Sequence, residues 1–469
     1  MKKIINQGTL IGLILILALI FTSCTGPDNQ IKSEKELKKE AFLDDFDYMM
    51  QTMEDSFPYF GVAKRKWDVD IRELGRDTRE IIENYPQSLE TTANEMEIPL
   101  EDMPELDEQV FWSILRHEFF AKISGLAHAY PLDYNLYGTF KDPYSHQRSP
   151  LYTNHNHESF SNEFSEAFYV EQEIFFNNPD EQNQSRHKLV FRDKPLPQLT
   201  DMKVFTDILK EDKVAYLSVP SFMNFTSSTI KNLKKFYEDT QSYEHLIIDI
   251  RDNSGGSPDV WRMLIMNPLW PDRENMPDMP FYAFYKGSDL SKTLGEENIE
   301  IEGKNSRNIP QRAGLLDAEE IIRENNLKYI NEDDKKDLAY GVRYNTSISN
   351  IDEKAMQHLG FRSYYPFEGK IWLLTNENNY SGAALFARHA KDMGFATLVG
   401  EATGGAYTTS SGLFFSLPNT GIILRWDADY LTDSEGRALN EYTTTPHYNS
   451  NDNMDALETV LKIIEAGTF

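Results

Sequence analysis

Leu373-Leu-Thr-Asn-Glu-Asn-Asn-Tyr-Ser-Gly-Ala-Ala-Leu-Phe-Ala-Arg-His-Ala390 is the stretch that decides the fold. An apolar run predicts a buried strand up to Leu374, a polar loop follows, and small residues then begin a helix. Ser381 lies at the turn between strand and helix. A serine there has an exposed hydroxyl beside backbone N–H groups that point where an oxyanion would form, which indicates a nucleophile. The alternative is an ordinary N-cap serine, which is common at helix starts.

A second buried strand is predicted earlier in the chain, at His245–Ile250, where the apolar run is typical of a strand covered on both faces. A predicted strand at Val214–Val219 and a helix precede it, and this β-α-β order predicts parallel neighbours with a right-handed crossover. The following loop holds Gly255 and Gly256, which permit a sharp turn and expose N–H groups. A plain turn is the alternative. A phosphate-binding loop is disfavoured because the Gly-Lys-Ser/Thr ending is absent.

Periodicity divides the chain into five regions. Apolar residues recur at helical spacing in the first half of the helical region, at Phe42, Phe46, Met49, Met50 and Met53. Short alternating runs at 168–176 and 187–192 predict strands. The predicted regions are a signal peptide at 1–23, a tether at 24–38, an N-terminal helical domain at 39–130, a small mostly β region at 131–210, and an α/β core at 211–469 with an insertion at about 268–366.

Within the insertion, one helix is predicted near Asp317–Asn326. The charged run at 332–337 is predicted to be solvated surface.

The N-terminus has the pattern of an export signal. Lys2 and Lys3 are followed by the apolar run Leu10–Phe21, which is too short for an ordinary membrane-spanning helix. Cys24 follows at once, and this arrangement resembles a bacterial lipobox, which implies cleavage before Cys24 and lipidation of its thiol. We therefore expect a lipid-anchored lipoprotein of the bacterial cell envelope, facing the periplasm or the exterior. An ordinary secretory signal is the alternative.

Charge and cysteine content exclude several classes of function. The chain has 75 acidic and 47 basic residues and a formal charge of −28, which disfavours nucleic acid and anionic membrane surfaces as electrostatic partners. Hydrophobic residues make up 40% of the chain, as in a globular protein. Cys24 is the only cysteine, so disulfides and thiol catalysis are not expected in the mature protein.

Three segments together resemble one family. They are Asp249-Ile-Arg-Asp-Asn-Ser-Gly-Gly256, the Ser381 segment, and Ala396-Thr-Leu-Val-Gly-Glu-Ala-Thr-Gly-Gly405. Their order and spacing resemble the C-terminal-processing and tricorn-type serine peptidases over residues 211 to 465. The resemblance implies a crotonase-like (ClpP/crotonase-type) α/β core and a serine peptidase that hydrolyses peptides or unfolded protein segments through an acyl-enzyme, without a metal or cofactor.

The family divides by its general base. One branch uses a lysine about 25 residues after the serine, but here that neighbourhood is Gly405-Ala406-Tyr407, and Lys391 lies inside the predicted helix. The tricorn-like branch uses an N-terminal histidine and a late glutamate, and His128 and Glu441 match their positions. Histidine titrates near neutral pH and suits a weak hydroxyl nucleophile. The resemblance implies the catalytic residues Ser381, His128 and Glu441, with oxyanion donors from Gly255, Gly256 and Gly382.

The sequence departs from the tricorn type at two points. Ala127 precedes His128 and no serine stands there to link the histidine to Glu441, and Gly382 replaces an aspartate after the nucleophile. A catalytically weak or inactive binding protein for peptides or apolar ligands on the same fold is therefore a second hypothesis. A third is a zinc-dependent hydrolase that uses His146, His155 and His157. Convergence of the three predicted catalytic side chains would distinguish the first two hypotheses.

Overall fold

The computed structural model describes residues 32–145, 153–177, 184–190, 203–223, 225–272, 275–277, 279–305, 314–346, 364–409, 412–450 and 453–467. The predicted signal peptide, Cys24 and the first part of the tether lie outside these residues. The end of the predicted tether belongs to the first helix, which begins at Glu34 and is capped by Ser33 through a capping box.

The described helices are numbered in chain order. They are α1 Glu34–Ser56, α2 Phe60–Trp67, α3 Ile71–Glu83, α4 Glu90–Glu95, α5 Glu108–Ile114, α6 Tyr134–Ser145, α7 Asn154–Phe160, α8 Glu163–Asn177, α9 Gln184–Val190, α10 Ser227–Thr240, α11 Pro258–Trp261, α12 Asn267–Leu269, α13 Asp289–Asn305, α14 Ala318–Glu324, α15 Glu332–Lys335, α16 Gly382–Asp392 and α17 Ala456–Ala466. Among the described residues, none of these helices is both long enough and apolar enough to cross a membrane.

The strands are also numbered in chain order. They are β1 Tyr130–Pro131, β2 Phe205–Lys210, β3 Val214–Ser218, β4 His245–Asp249, β5 Met279–Lys286, β6 Leu316–Asp317, β7 Leu338–Thr346, β8 Lys370–Thr375, β9 Thr397–Gly400, β10 Leu413–Ser416, β11 Ile423–Trp426, β12 Tyr430–Thr432 and β13 Tyr448–Asn449.

A six-stranded sheet with the order β13-β9-β8-β4-β3-β2 forms the centre of the α/β core. Every neighbouring pair is parallel except β2 and β3, so the predicted parallel β-α-β arrangement is confirmed. The carboxyl ends of β4 and β8 lie side by side, because Asp249 pairs with Leu374. The loops that follow these two strands, which carry the paired glycines and Ser381, therefore leave the sheet at the same edge.

Helices cover both faces of this sheet. Alternate residues of β4 point to opposite sides, where Leu246 and Ile248 join one hydrophobic cluster and Ile247 joins another. The first cluster includes α10 and α16, whose Phe386 is fully buried, and the second includes α17. Two covered faces explain why β4 and β8 are continuous apolar runs.

The N-terminal region is helical, and the predicted α/β class with a helical N-terminal region is confirmed. The predicted apolar face of α1 is buried, apart from Met50, which is only partly buried. Helix α5 continues through a wide π turn, Leu115–Phe119, and a 3-10 turn, Phe120–Ile123. It leads directly into the loop that carries His128.

The prediction of a mostly β region at 131–210 is wrong for the described residues of this region. Four helices, α6 to α9, occupy most of it, and only β1 at its start and β2 at its end are strands. The run at 168–176 is part of α8, whose buried positions include Ser165, Phe168, Tyr169 and Gln172. These buried positions have the spacing of a helix, but two of them, Ser165 and Gln172, are polar. The apolar residues of the run alone therefore gave the alternating pattern of a strand, which does not match the structure.

Three strands of the predicted insertion, β5, β6 and β7, form a second sheet together with β12 from the C-terminal part of the chain, in the order β12-β5-β7-β6. The helix predicted near Asp317–Asn326 is confirmed as α14, Ala318–Glu324. The charged run at 332–337 is only partly solvated, because Asp334 in α15 is buried. Its carboxylate pairs with Arg65 of the N-terminal region.

Candidate active site

Ser381 has a strained backbone at the turn between β8 and α16. Its φ is +52° and its ψ is −124°, whereas an ordinary N-cap residue is extended. It occupies the N-cap position, yet its side chain makes no capping hydrogen bond. Its backbone N–H donates to the carbonyl of Gly405 at 3.0 Å. The geometry therefore does not support the N-cap alternative, and left-handed strain of about 1–3 kcal/mol at a non-glycine residue is typical of functional turns.

Two glycine turns lie in contact at this point. A Cβ on Gly382 would lie 2.4 Å from the carbonyl oxygen of Gly256, and a Cβ on Gly255 would lie 2.7 Å from the carbonyl oxygen of Tyr380. Gly255 and Gly256 also have φ of +109° and +122°. A side chain on Gly382 would collide with backbone, so the aspartate of the tricorn type does not fit here.

The backbone N–H groups of these glycines differ in availability. The N–H of Gly255 donates to Oδ1 of Asn253 at 2.8 Å and is therefore engaged. Neither Gly256 nor Gly382 donates its N–H to another residue in the described part of the chain. Of the three predicted oxyanion donors, Gly256 and Gly382 remain free to bind an oxyanion beside Ser381.

Asparagine side chains join the loop that holds the paired glycines to the loop that holds Ser381. Asp252 receives hydrogen bonds of 2.8 Å from Nδ2 of both Asn376 and Asn378, which lower the pKa of its carboxyl group. The N–H of Asp252 donates in return to Oδ1 of Asn376 at 3.0 Å. Buried Asn379 donates to the carbonyls of Ile250 and Asn253. These contacts fix the paired-glycine loop against the Ser381 loop.

His128 is placed by a short antiparallel strand pair. It precedes β1, and Asp427 follows β11, which pairs with β1 through Tyr130 and Arg425. The N–H of Asp427 continues this ladder to the carbonyl of Ala127 at 2.8 Å. Nδ1 of His128 lies 2.7 Å from Oδ2 of the fully buried Asp427. A carboxylate accepts hydrogen bonds, so this contact favours the ring tautomer that has its proton on Nδ1, and in that tautomer Nε2 is an acceptor.

The His128 loop and the Ser381 loop touch. A Cβ on Gly125 would lie 3.3 Å from the ring of Tyr380, the residue before Ser381. In the described part of the chain, no hydrogen bond joins His128 to Ser381. Catalytic hydrogen bonds in enzymes without substrate are often long and shorten when substrate binds. Ala127 and His128 have φ of +49° and +48°, so this loop is strained as well.

Glu441, which the resemblance implies as the partner of His128, is held by Arg65. Its two carboxylate oxygens accept from Nε and Nη2 of Arg65 at 2.8 and 2.7 Å, and the described residues show no hydrogen bond between Glu441 and His128. The carboxylate that contacts His128 is Asp427. The sequence offers one signal for it, because Asp427 is an acidic residue directly after the apolar-rich run Gly421–Trp426, but nothing in the sequence shows that it meets His128.

Lys391 and Tyr407 lie near the position in the chain where the other branch of the family has its lysine, and both make contacts of their own. Lys391 lies in α16 and donates from Nζ to the carbonyl of Thr445 at 2.6 Å, and burial lowers the pKa of its amine. Tyr407 is buried, with its hydroxyl hydrogen-bonded to Thr403 and Thr444. In the described part of the chain, no hydrogen bond joins Lys391 to Ser381.

The histidines of the zinc hypothesis are not gathered into a site where the structure describes them. His155 and His157 both lie in α7, and side chains two residues apart on a helix do not face each other. Nδ1 of His155 lies 4.0 Å from Glu297, and His157 contacts Ser161. His146 lies outside the described residues. Within the described ranges, no cluster of three or more His, Cys, Asp or Glu side chains has the arrangement of a metal site.

The sequence matches the model of peptidase family S41 over residues 213–450, just over half of the chain. The matched residues include both glycine turns, Ser381, Asp427 and Glu441, whereas His128 lies before them. No curated protein matches this sequence.

Solved structures with a similar fold share little sequence with this chain. A provisionally assigned peptidase from Parabacteroides merdae has a TM-score of 0.45 at 15% identity, with 92% of this chain and 97% of that chain covered. A lipoprotein from Streptococcus agalactiae has a TM-score of 0.42 at 12% identity, covering 94% and 99%. Mature CPAF in complex with lactacystin has a TM-score of 0.47 at 12% identity, covering 92% and 98%. At these scores the likeness carries no conclusion about the site.

Proposed function

Because the chain belongs to peptidase family S41, whose members act on peptides or proteins, we propose that it is a serine peptidase with Ser381 as its nucleophile. The observation that supports this assignment is the strained strand-to-helix turn, which holds the Ser381 side chain without a capping bond. The neighbouring N–H groups of Gly256 and Gly382 are free among the described residues. A nucleophile and an oxyanion site thus occur side by side.

His128 is the proposed general base. Its Nε2 takes the proton of the Ser381 hydroxyl while Oγ attacks the peptide carbonyl carbon, which becomes tetrahedral. The imidazolium then gives that proton to the leaving amine as the C–N bond breaks. A water molecule then attacks the carbonyl carbon of the resulting ester while Nε2 of His128 accepts a proton from the water. The bond between this carbon and Oγ of Ser381 breaks, the imidazolium returns its proton to Oγ, and the acid product leaves with Ser381 and the neutral His128 restored.

Asp427 is the proposed orienting acid, in place of Glu441. Its contact with Nδ1 of His128 selects the tautomer in which Nε2 faces the nucleophile, and its charge stabilises the imidazolium. The N–H groups of Gly256 and Gly382 are the proposed oxyanion donors. Loss of one such donor typically costs about 10²–10³ in kcat, so the two together supply much of the rate enhancement.

Labelling with a fluorophosphonate probe tests the nucleophile. We expect the wild type to react and Ser381→Ala to be unreactive. Ser228→Ala, at the exposed start of α10, is the matched control and should react as the wild type does. Labelling that persists in Ser381→Ala would refute the assignment. A folded wild type that is never labelled would favour the alternative, a catalytically weak or inactive protein that binds peptides or apolar ligands on this fold.

The cellular location is a separate proposal. The apolar run Leu10–Phe21 followed by Cys24 supports a lipid anchor on the bacterial cell envelope, with the peptidase in the periplasm or outside the cell. Expression with labelled palmitate and fractionation of the cells is the test. The wild type should carry label in the membrane fraction, and Cys24→Ser should carry none. Unlabelled wild-type protein in the soluble fraction would contradict the anchor.

A further inference from the structure

We propose that Arg65 and Glu441 form a positioning clamp for the turn that holds Ser381, so that Glu441 acts through the backbone of that turn and not on His128. The clamp consists of Arg65 in α2, Asp334 in α15 and Glu441. It connects three parts of the chain that are far apart in sequence. The inference rests on the proposed function of Ser381.

The ion pair itself is built with good geometry. Arg65 makes a bidentate contact with Glu441 at 2.8 and 2.7 Å, and its Nη1 and Nη2 reach Asp334 at 3.2 and 2.6 Å. The Asp334 side chain is 2% exposed and also accepts from the hydroxyl of Tyr430 at 2.7 Å. Glu441 is 12% exposed. The hydrogen bonds to Glu441 are the largest cause of a raised Arg65 pKa.

A second contact from the same helix holds the neighbouring residue. Nζ of Lys66 donates to the carbonyl of Asn440 at 3.1 Å. The side chain of Asn440 then binds the backbone of Tyr407 twice, because Oδ1 accepts from its N–H at 2.9 Å and Nδ2 donates to its carbonyl at 3.0 Å. Asn440 is 2% exposed. Helix α2 therefore fixes residues 440 and 441, and these fix the backbone at Tyr407.

The last step leads from Tyr407 to the nucleophile. Gly405 and Ala406 both have left-handed backbones, with φ of +117° and +55°. The carbonyl of Gly405 accepts the N–H of Ser381 at 3.0 Å, and Tyr380 and Gly405 form a parallel bridge. Because this turn is strained, it depends on the contacts that surround it. A shift at Asn440 would reach Ser381 through two hydrogen-bonded steps.

The charges explain why Arg65 is needed. Asp334 and Glu441 are two largely buried carboxylates that share one guanidinium. Without Arg65 they would repel each other, and an uncompensated buried charge is costly. Glu441 would be expected to move towards water and to carry Asn440 with it. Without Glu441, Arg65 would still be paired with Asp334, but residue 441 would no longer be held.

The experiment compares Arg65→Met, Glu441→Gln and the double variant. Each kcat is normalised to the concentration of active sites titrated with a fluorophosphonate, so that partial unfolding does not count as lost activity. A displaced nucleophile of about 1 Å can cost roughly 10²-fold in rate, so we expect each single variant to lose about 10- to 100-fold in kcat. The double variant should be no worse than the more severe single variant, because both break the same contact. The midpoint of the pH profile of kcat/KM should stay in place, since Asp427 still holds His128.

Two results of these activity measurements would overturn the clamp. If Glu441→Gln lost 10³-fold or more with a displaced pH profile while Arg65→Met remained near wild type, Glu441 would be the orienting acid. If both variants kept full kcat, the contact would be structural only. Should Arg65→Met fail to fold, Arg65→Lys keeps the charge but not the bidentate contact and should show the same loss on a smaller scale.

A matched control lies on the neighbouring helix. Arg72 of α3 also makes a bidentate contact, with Glu54 at 2.5 and 2.8 Å, but the pair is more exposed, and among the described residues no hydrogen bond joins it to residues 440 or 407. Arg72→Met and Glu54→Gln should therefore leave the normalised kcat unchanged. A loss in these variants equal to that in Arg65→Met would show that any ion pair of the helical region has this effect, which would refute a specific clamp.

Hydrogen exchange separates failure of the clamp from failure of the proposed function. The amide of Tyr407 is bound by Asn440, so Arg65→Met should speed exchange in peptides covering 403–407, while Arg72→Met should not. This readout does not require activity. An unlabelled, inactive wild type with the expected exchange pattern would refute the peptidase and keep the clamp. Unchanged exchange at 403–407 would refute the clamp.

Discussion

At the scale of single residues, Asp427 has the environment of an orienting acid. It is fully buried, its Oδ2 contacts His128, and its Oδ1 is buried without a hydrogen-bond partner among the described residues. A buried carboxylate with one unsatisfied oxygen gains most from a positively charged neighbour. The imidazolium that forms during catalysis would supply that charge.

Asp427→Asn tests this role. The amide keeps the shape but favours the wrong tautomer of His128, so we expect kcat/KM to fall by about 10³–10⁴-fold. Active-site titration and circular dichroism would show whether the fold is retained. Glu441→Gln should lose much less. A greater loss in Glu441→Gln than in Asp427→Asn would reverse the assignment of the two acids.

Asp429 makes stability depend on pH. Burial, and secondly the charge of Asp427, raise its pKa to about 7 in the folded protein, against an ordinary value of 3.8. Between these values the unfolded chain releases a proton that the folded chain keeps, so this contribution to stability is present below pH 4 and is lost as pH rises through 7. Relative to Asp429→Asn, the wild type should lose on the order of 1–4 kcal/mol of unfolding free energy from pH 5 to pH 8. Urea denaturation of both proteins across this range is the measurement, and parallel curves would contradict the prediction.

Local sequence pointed to the proposed nucleophile but not to the residue that contacts the proposed base. Ser381 and the paired glycines are recognisable because their chemistry depends on neighbours along the chain. The contact between His128 and Asp427 joins residues 299 positions apart, through a strand pair whose first strand has only two residues. Such a short strand has no periodicity to detect. Glu441 was identified by its position relative to a family, and position does not show which side chain it faces.

At the scale of secondary-structure elements, Asp45 joins α1 to the turn between β10 and β11. Its carboxylate accepts from the N–H groups of Asn419 and Thr420 at 2.8 and 2.9 Å, and from both of their side chains. It is fully buried, and burial raises the pKa of its carboxyl group. One side chain thus accepts the two backbone N–H groups at the tip of this turn.

Asp45→Ala should destabilise the protein more than its position on a helix suggests. Two buried backbone N–H groups would lose their acceptor, at a cost of about 2–4 kcal/mol. Asp44→Ala, at an exposed neighbouring position, should change stability by less than about 0.5 kcal/mol. Denaturant unfolding of the two variants measures the difference. Equal effects would show that the turn finds other partners.

The inner strands β4 and β8 of the six-stranded sheet are predictable from the sequence and the helices of residues 131–210 are not, for a physical reason. Strands β4 and β8 are covered on both faces, so burial requires apolar residues at every position. In α8, by contrast, Gln172 is fully buried because its amide binds the N–H of Tyr134 and the side chain of Gln109. A polar residue can be buried when its hydrogen bonds are satisfied, but it does not contribute to a pattern of apolar residues. Hydrophobic periodicity therefore does not detect it.

At the scale of the whole molecule, the N-terminal helices are part of one structure with the C-terminal half. A single hydrophobic cluster contains Phe42 and Phe46 of α1 together with Phe414 of β10 and Trp426 of β11. Neither side buries these residues alone. The predicted boundary between a helical domain and a catalytic core is therefore not a boundary in packing.

A chain that begins at Lys203 tests this interdependence. It would keep all strands of the six-stranded sheet but would expose the faces of β10 and β11 that pack on α1. We expect it to lack a cooperative thermal transition, because large apolar surface would be returned to water. Circular dichroism melts of this chain and of the chain from residue 32 make the comparison. A sharp transition in the shorter chain would show that the core folds independently.

The pairing of His128 with Asp427 also affects when the candidate site is assembled during translation. A ribosome makes His128 first, Ser381 later and Asp427 later still, 299 residues after His128. On the proposed assignment, a growing chain that already contains Ser381 has no oriented base until Asp427 has also been synthesised. The order of the residues would then delay proteolysis until β11 and Asp427 have joined the fold.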